Sequence, residues 1–214
     1  MTQHLTLTSL PLFPLNAVLF PGGTLALRVF EVRYLDMVRK CHKTGAPFGA
    51  IALRSGHEEV RRAGAPPEQF HDVGTLATIE HLETPQPALL AVACRGSQRF
   101  RILGRTLLAH GLWVADVEQL PSDLPVPIPD DLAPIAIALA HVLTTLRQRA
   151  PPAPYTPPPT PTAAQLNDSG WVANRWCELL PVPLELRQQL MELDNPLVRL
   201  ELVGDVLERT GIAP

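Results

Sequence analysis

Lysine is almost missing from this chain of 214 residues: only Lys40 and Lys43 are present, and every other cation is an arginine. Schiff-base or general-base chemistry by lysine therefore has almost no candidates, and the arginine bias itself reads as genome composition. Cysteine is scarce too. Cys41, Cys94 and Cys177 are odd in number, far apart and never in a CxxC pair, which excludes a zinc knuckle or a thioredoxin-like site. They read as reduced, buried thiols of a cytosolic protein. No two glycines stand two apart, so a GxGxxG dinucleotide fingerprint cannot occur, and neither lysine follows a glycine, which removes the Walker A loop. GxSxG and HExxH are absent; His57-Glu58-Glu59 lacks the second histidine of the zinc motif. Long apolar runs are missing as well. The best, Leu132–Leu146, has 15 residues and contains His141, short of the roughly 20 needed to span a bilayer. Met1-Thr2-Gln3-His4 lacks the basic segment of a secretory signal. A cytoplasmic protein with no membrane partner is expected.

Charge excludes little more. The net charge is −3, divided as +2 over residues 1–120 and −5 over 121–214. Neither half has the basic balance of a phosphate-backbone binder, and aromatics for base stacking are only 5% of the chain. Nucleic acid is not an expected partner. The seven histidines are scattered at 4, 42, 57, 71, 81, 110 and 141. His71 and His81 would stand roughly 33 Å apart along an extended strand, and Cys41 and His42 point to different sides of a helix. No metal site is expected. A triad of Ser97, His110 and Asp116 can be drawn on paper, but no motif fixes the nucleophile. The expectation is no catalytic residue, no cofactor and no enzymatic activity.

Proline is abundant: 24 residues, 12 of them between Pro121 and Pro161. Proline fits neither a helix interior nor a central strand, so this stretch marks a seam between two parts. Before it, residues 9–120 read mostly as strand. Thr24–Phe30 puts Leu25, Leu27 and Val29 on one face and Ala26, Arg28 and Phe30 on the other. Phe48–Arg54, Val73–Glu80, Ala88–Cys94, Ser97–Leu103 and Trp113–Glu118 are further strands, with turn signals at Pro21-Gly22-Gly23, Pro85/Pro87 and Gly96. Such spacing suggests a closed or nearly closed barrel. One helix, Glu31 to about Thr44, aligns Tyr34, Leu35, Val38 and Cys41 and stops at Gly45 and Pro47. Residues 55–70 read as an exposed loop or hairpin tip.

After the seam the period is helical. Asp130/Asp131 cap a helix with a stripe of Ile135, Leu139, Val142 and Leu146. Pro151–Pro161 holds seven prolines in eleven residues, enough to span on the order of 34 Å as polyproline II, and reads as an inert spacer. Asp168/Ser169 cap a helix carrying Val172, Trp176, Leu179 and Leu180. A short helix follows with Leu186, Leu190 and Leu193. Asn195-Pro196 opens the last one, with Leu197, Leu200, Val203 and Leu207, which ends at Gly211.

Five segments, in order, resemble the N-terminal, substrate-binding domain of Lon protease. They are Leu10–Gly22, Leu25–Met37, Pro47-Phe48-Gly49, Val73–Ile79 and Gly96–Ile102. The helical part, Trp176–Pro181 through Asp194–Leu197, is similar to the extension of stand-alone bacterial members. The resemblance implies an α+β fold. A PUA-like β pseudo-barrel with one inserted helix would occupy residues 1–120. A C-terminal helical bundle would occupy 121–214, with a proline-rich loop at 150–162. It implies recognition of protein without the ATPase and proteolytic modules of the full enzyme, neither of which is expected here.

The expected function is non-catalytic binding of unfolded or extended protein segments, along a side cleft or sheet edge. Arg28, Phe30, Arg33 and Tyr34 are the candidate binding residues. Two other classes stand beside it. One is RNA binding through Arg95, Arg99, Arg101 and Arg105, which loses support if those arginines pair across the sheet. The other is a small-molecule binder or enzyme, which would need a deep cavity with convergent polar groups. The sequence sets no oligomeric state.

Overall fold

The structure, a computed structural model, describes residues 5–54, 67–149 and 160–212. Among the described residues are six strands: β1 (Thr6–Leu15), β2 (Thr24–Val29), β3 (Phe48–Ala52), β4 (Val73–Gln86), β5 (Leu89–Leu107) and β6 (Trp113–Gln119). The helices are α1 (Val32–Thr44), α2 (Ala133–Gln148), α3 (Ala163–Leu166), α4 (Ser169–Leu179), α5 (Leu184–Glu192) and α6 (Pro196–Thr210). They form two compact units, Met1–Ser122 with Val182–Met191, and Asp123–Pro181 with Glu192–Pro214. The fold is α+β, as expected.

In the first unit the strand order is β2-β5-β4-β3-β1-β6, with a further pairing of β5 to β6. Among the described residues only β1 and β3 run parallel. β5 is 19 residues long, and its length decides the shape. Leu90–Arg95 pair with β2, while Phe100–Leu107 pair with β6. The sheet therefore curls back on itself; of the closed or nearly closed barrel that the spacing suggested, the fully closed form is not reached. β2 pairs with β5 alone among the described residues, leaving one edge open.

The break expected at Gly96 does not exist; the two runs on either side form one strand. A Cβ at Gly96 would lie 2.4 Å from the Phe20 carbonyl oxygen. Gly22 N donates to the Gly96 carbonyl and Gly96 N to Gly23, both at 2.9 Å. This glycine serves close backbone approach rather than a turn. The real turn lies at Pro87-Ala88, where Ala88 takes φ 62°.

Alternation along β1 feeds two cores. Phe13 and Leu15 join Val29, Tyr34, Val38, Phe48 and Leu90 beneath α1. Leu10 and Leu12 join Ile51, Phe70, Phe100 and Val117. α1 buries Tyr34, Leu35, Met37, Val38 and Cys41, and Gly45 ends it at φ 68°. Cys41, Cys94 and Cys177 are buried and form no disulfide among the described residues. Burial pushes the Cys94 thiol up to about 12, with the Glu80 carboxylate adding to it, so it is not a nucleophile at neutral pH.

Residues 55–66 lie outside the described residues, but the end of that expected loop is not exposed. Glu68 and Phe70 are buried, and Phe70 meets Trp113 edge-on with ring centres 5.4 Å apart. α5 closes this unit through polar contacts that apolar periodicity does not reveal. Gln188 Nε2 donates to the Val73 carbonyl at 2.9 Å. Arg99 Nη1 donates to Met191 at 3.1 Å. Gln188, Leu190 and Met191 are its buried residues, in place of the expected Leu186, Leu190 and Leu193.

In the second unit Asp130–Leu132 form a 3₁₀ turn and make no side-chain cap on α2. The buried stripe of α2 is Ile135, Ala136, Leu139 and Leu143. It follows i, i+4 spacing, so Leu146 is exposed and Val142 only half-buried. Asp168 caps α4 through Gly170 N and Trp171 N, while Leu179, expected inside, is exposed. Asn195 caps α6 with Pro196 in its first turn, and Gly211 ends it at φ 68°. Arg199 is 1% exposed. Its guanidinium donates to Asp123 at 2.6 Å, to Asn174 Oδ1 at 2.9 Å and to the Leu193 carbonyl. Most of the proline run, residues 150–159, lies outside the described residues.

Candidate functional site

Residues 28–34 carry the chain from the open edge of β2 into α1, and the four candidate binding residues part company there. Arg28 is exposed and forms no ion pair among the described residues. Phe30, one residue beyond the strand, keeps 55% of its surface in solvent. Tyr34 is 2% exposed and stacks on Phe13 with ring centres 4.1 Å apart.

The Arg33 side chain is 7% exposed. Its Nε donates to Glu31 at 2.9 Å, and its Nη1 donates to Glu68 at 2.7 Å and to the Gly111 carbonyl at 3.0 Å. The guanidinium also sits 4.5 Å over the Tyr34 ring. Burial works against the Arg33 charge, but Tyr34, Glu68 and Glu31 outweigh it and hold the pKa above the ordinary value. For Glu68, burial likewise disfavours the charge. Its backbone hydrogen bond and those from Arg33 and the Trp113 indole win, so its pKa lies below the ordinary value. Sequence reasoning missed Glu68. Its signal was the alternation of Glu68 and Phe70 with exposed Pro67 and Gln69.

Two clefts flank this junction. The smaller, about 320 Å³, follows β2 from Leu25 to Phe30 and is completed by Phe13, Leu15, Ala17, Glu31 and Tyr34. Arg28, Phe30 and Tyr34 thus border one cleft, two of them solvent-facing and one as its packed wall. The larger, about 700 Å³, lies along α1 and takes in Val32, Arg33, Met37, Pro11, Leu108 and Val114. Its walls are mostly apolar, with Asp36, Lys40 and His110 among its polar groups.

The alternative chemistries find their residues committed elsewhere. Ser97 Oγ donates to the Leu76 carbonyl at 3.2 Å, and the Asp116 carboxylate accepts from Ser9 N at 3.0 Å. Neither bond belongs to a catalytic relay. Of the arginine cluster, Arg95 pairs with Glu80 at 2.5 Å. Arg99 is buried, Arg101 stands opposite Glu118 in the ladder, and Arg105 lies 4.6 Å over Phe70. The cross-sheet pairing that weakens the RNA reading is therefore present at Arg95. No group of three or more metal-ligating side chains occurs among the described residues, and no described helix is long and apolar enough to cross a membrane.

The sheet unit thus presents an open strand edge with a cleft beside it. The comparisons give the family. The model of the ATP-dependent protease La (Lon) substrate-binding domain matches residues 9–209, so the chain belongs to that family. A crystal structure of a Lon N-terminal domain protein from Xanthomonas campestris is 31% identical. The match covers 97% of this chain and all of that one, with a TM-score of 0.67. The N-terminal domain of a Mycobacterium avium complex Lon protease shares the fold at TM-score 0.56 and 16% identity, over 94% of this chain and 98% of that one. Lon protease of Anaeromyxobacter dehalogenans is 24% identical over 94% of this chain, which spans only 23% of that protein's length. Lon protease 2 of Myxococcus xanthus gives 25% identity, again over 94% of this chain and 23% of the relative.

Proposed function

We propose that the protein is a non-catalytic module that binds unfolded or extended protein segments, as the substrate-recognition part of a Lon-like system in the cytoplasm. In this reading residues 1–120 carry recognition and 121–214 form a helical extension that lends α5 to the sheet unit. The carrying observation is the cleft along β2, apolar and open, with Phe30 left 55% exposed at its end. An aromatic held in water has lost burial free energy on the order of 2 kcal/mol that a partner's apolar surface would restore. Phe30 and Arg28 are the contact residues, while Tyr34 and Arg33 hold the wall in place.

The test uses the full chain with a reduced, carboxymethylated model protein and the same protein in its native form, followed by calorimetry. Binding to the unfolded form only, weakened by Phe30→Ala, is the expected result. Equal affinity for both forms, or for neither, overturns the proposal.

The α1 cleft favours a second reading, small-molecule binding. At about 700 Å³ it falls within the range of ligand sites, with Lys40, Asp36 and His110 available to orient a polar group. A thermal-shift screen of metabolites, with Lys40→Ala as the control, checks it. No stabilising compound would end it.

A further inference from the structure

The open edge of β2 presents backbone groups as well as apolar surface. β2 pairs with β5 from Thr24 to Val29 without a register shift. In an antiparallel ladder every second residue turns its N–H and C=O away from the paired strand. Among the described residues no other strand takes up those groups. Uncovered edges of this kind are templates for another strand, and natural sheets often guard them with proline, a bulge or an inward charge. β2 has none of these: Thr-Leu-Ala-Leu-Arg-Val contains no proline, its register is unbroken, and its one charge, Arg28, points to solvent.

Three features lie together along that edge. The cleft follows every β2 residue from Leu25 onward, so an added strand would rest its side chains on Leu25, Leu27, Phe13 and Leu15. Phe30 stands exposed at the C-terminal end. Arg28 is a cation without an ion-pair partner among the described residues, whereas Arg33, five residues on, is held between two carboxylates. Facing strands place side chains about 5 Å apart, so a residue opposite Arg28 would be within ion-pair reach.

We infer that β2 is a strand-addition site whose ligand is an extended segment of alternating apolar residues with an Asp or Glu opposite Arg28. This deepens the proposed function and rests on it: backbone pairing supplies affinity for any extended chain, and Arg28 supplies a preference among sequences. A folded protein, whose strands are already paired, would not offer such a segment.

The probe is a synthetic decapeptide of alternating Val and Thr with one central Asp, titrated into the full chain by fluorescence anisotropy. Two analogues carry N-methyl groups on alternate residues, one set on each edge of the extended peptide. Methylation on one edge should weaken binding at least about thirtyfold, through loss of two or more backbone hydrogen bonds, while methylation on the other edge leaves it intact. Replacing the central Asp by Lys should cost about fivefold, and Arg28→Glu should reverse that preference. Arg28 lies in the exposed row of β2, so the thermal midpoint of this variant should match the parent and a folding defect would be visible. If both methylated analogues bind as the parent does, or Arg28→Glu leaves the Asp/Lys preference unchanged, strand addition at β2 is overturned. Should the unfolded model protein still bind in that case, only this inference falls. If neither the peptide nor the unfolded protein binds, the proposed function falls with it.

Discussion

Arg199 and Arg28 occupy opposite kinds of place. In the helical unit Arg199 is sealed among Asp123, Asn174 and the Leu193 carbonyl. At the edge of the sheet unit Arg28 and Phe30 stand in solvent, beside a strand edge that no other strand covers among the described residues. A buried charge is tolerated only when surrounding groups satisfy it, so Arg199 is committed to holding its unit together. Donors and apolar surface left over after folding are free for a partner. Arginine content and charge balance thus say little about function until each guanidinium has been located.

The sharpest way to break that contrast is to remove Arg199. Arg199→Ala leaves Asp123 and Asn174 without their partner and should cost about 3–5 kcal/mol in urea unfolding. A loss under about 1 kcal/mol would mean that the network is not structural. Tyr34→Ala comes next. It deletes a ring 2% exposed and stacked on Phe13, and should destabilise by about 3–4 kcal/mol, visible in the thermal midpoint.

Gly96→Ala drives a methyl toward the Phe20 carbonyl oxygen, 2.4 Å away, and backbone must shift to admit it. About 1–3 kcal/mol is the expected loss by chemical denaturation, and an unchanged midpoint would contradict the close approach.

Glu68 should show itself in acid. Its folded pKa lies below the ordinary 4.5, so the unfolded chain binds a proton first as pH falls. The stability Glu68 contributes is present above about pH 4.5 and is lost as pH drops through the lower folded value. Glu68→Gln should therefore be less stable at neutral pH and lose less on acidification, measured by unfolding at pH 7 and pH 3.5. Parallel acid profiles would remove Glu68 from the account. The smallest effect belongs to Phe30→Ala, within about 0.5 kcal/mol of the parent in stability. A large loss would make Phe30 a core residue and close the contrast from the other side.

Much of the framework was legible in the chain. The alternation of Leu25, Leu27 and Val29, the α1 face of Tyr34, Leu35, Val38 and Cys41, and the stops at Gly45 and Gly211 all report local stereochemistry. So do the caps at Asp168 and Asn195, and the ordered segments of the Lon-like resemblance cover the same ground. Where local signals misled, a distant group had taken over. Gly96 read as a turn because glycine often marks one; in the fold it admits the Phe20 carbonyl. Asp130 and Asp131 read as caps, but the chain there tightens into a 3₁₀ turn. Leu146 and Leu179 continue apolar stripes past the point where the core covers them fully. Gln188 and Arg99 are buried because backbone carbonyls far along the chain accept from them, which hydrophobic periodicity cannot register.

The candidate site divides along the same line. Local pattern alone made residues 28–34 a strand-to-helix junction rich in arginine and aromatics, within a chain poor in catalytic motifs. Which of those side chains remain available follows from packing between distant segments. Arg33 and Tyr34 are claimed by Glu68, Gly111 and Phe13, which lie 35, 78 and 21 residues away, whereas Arg28 and Phe30 meet no such partner among the described residues. Burial and pairing depend on what the fold brings against a residue, and a local pattern carries no record of that.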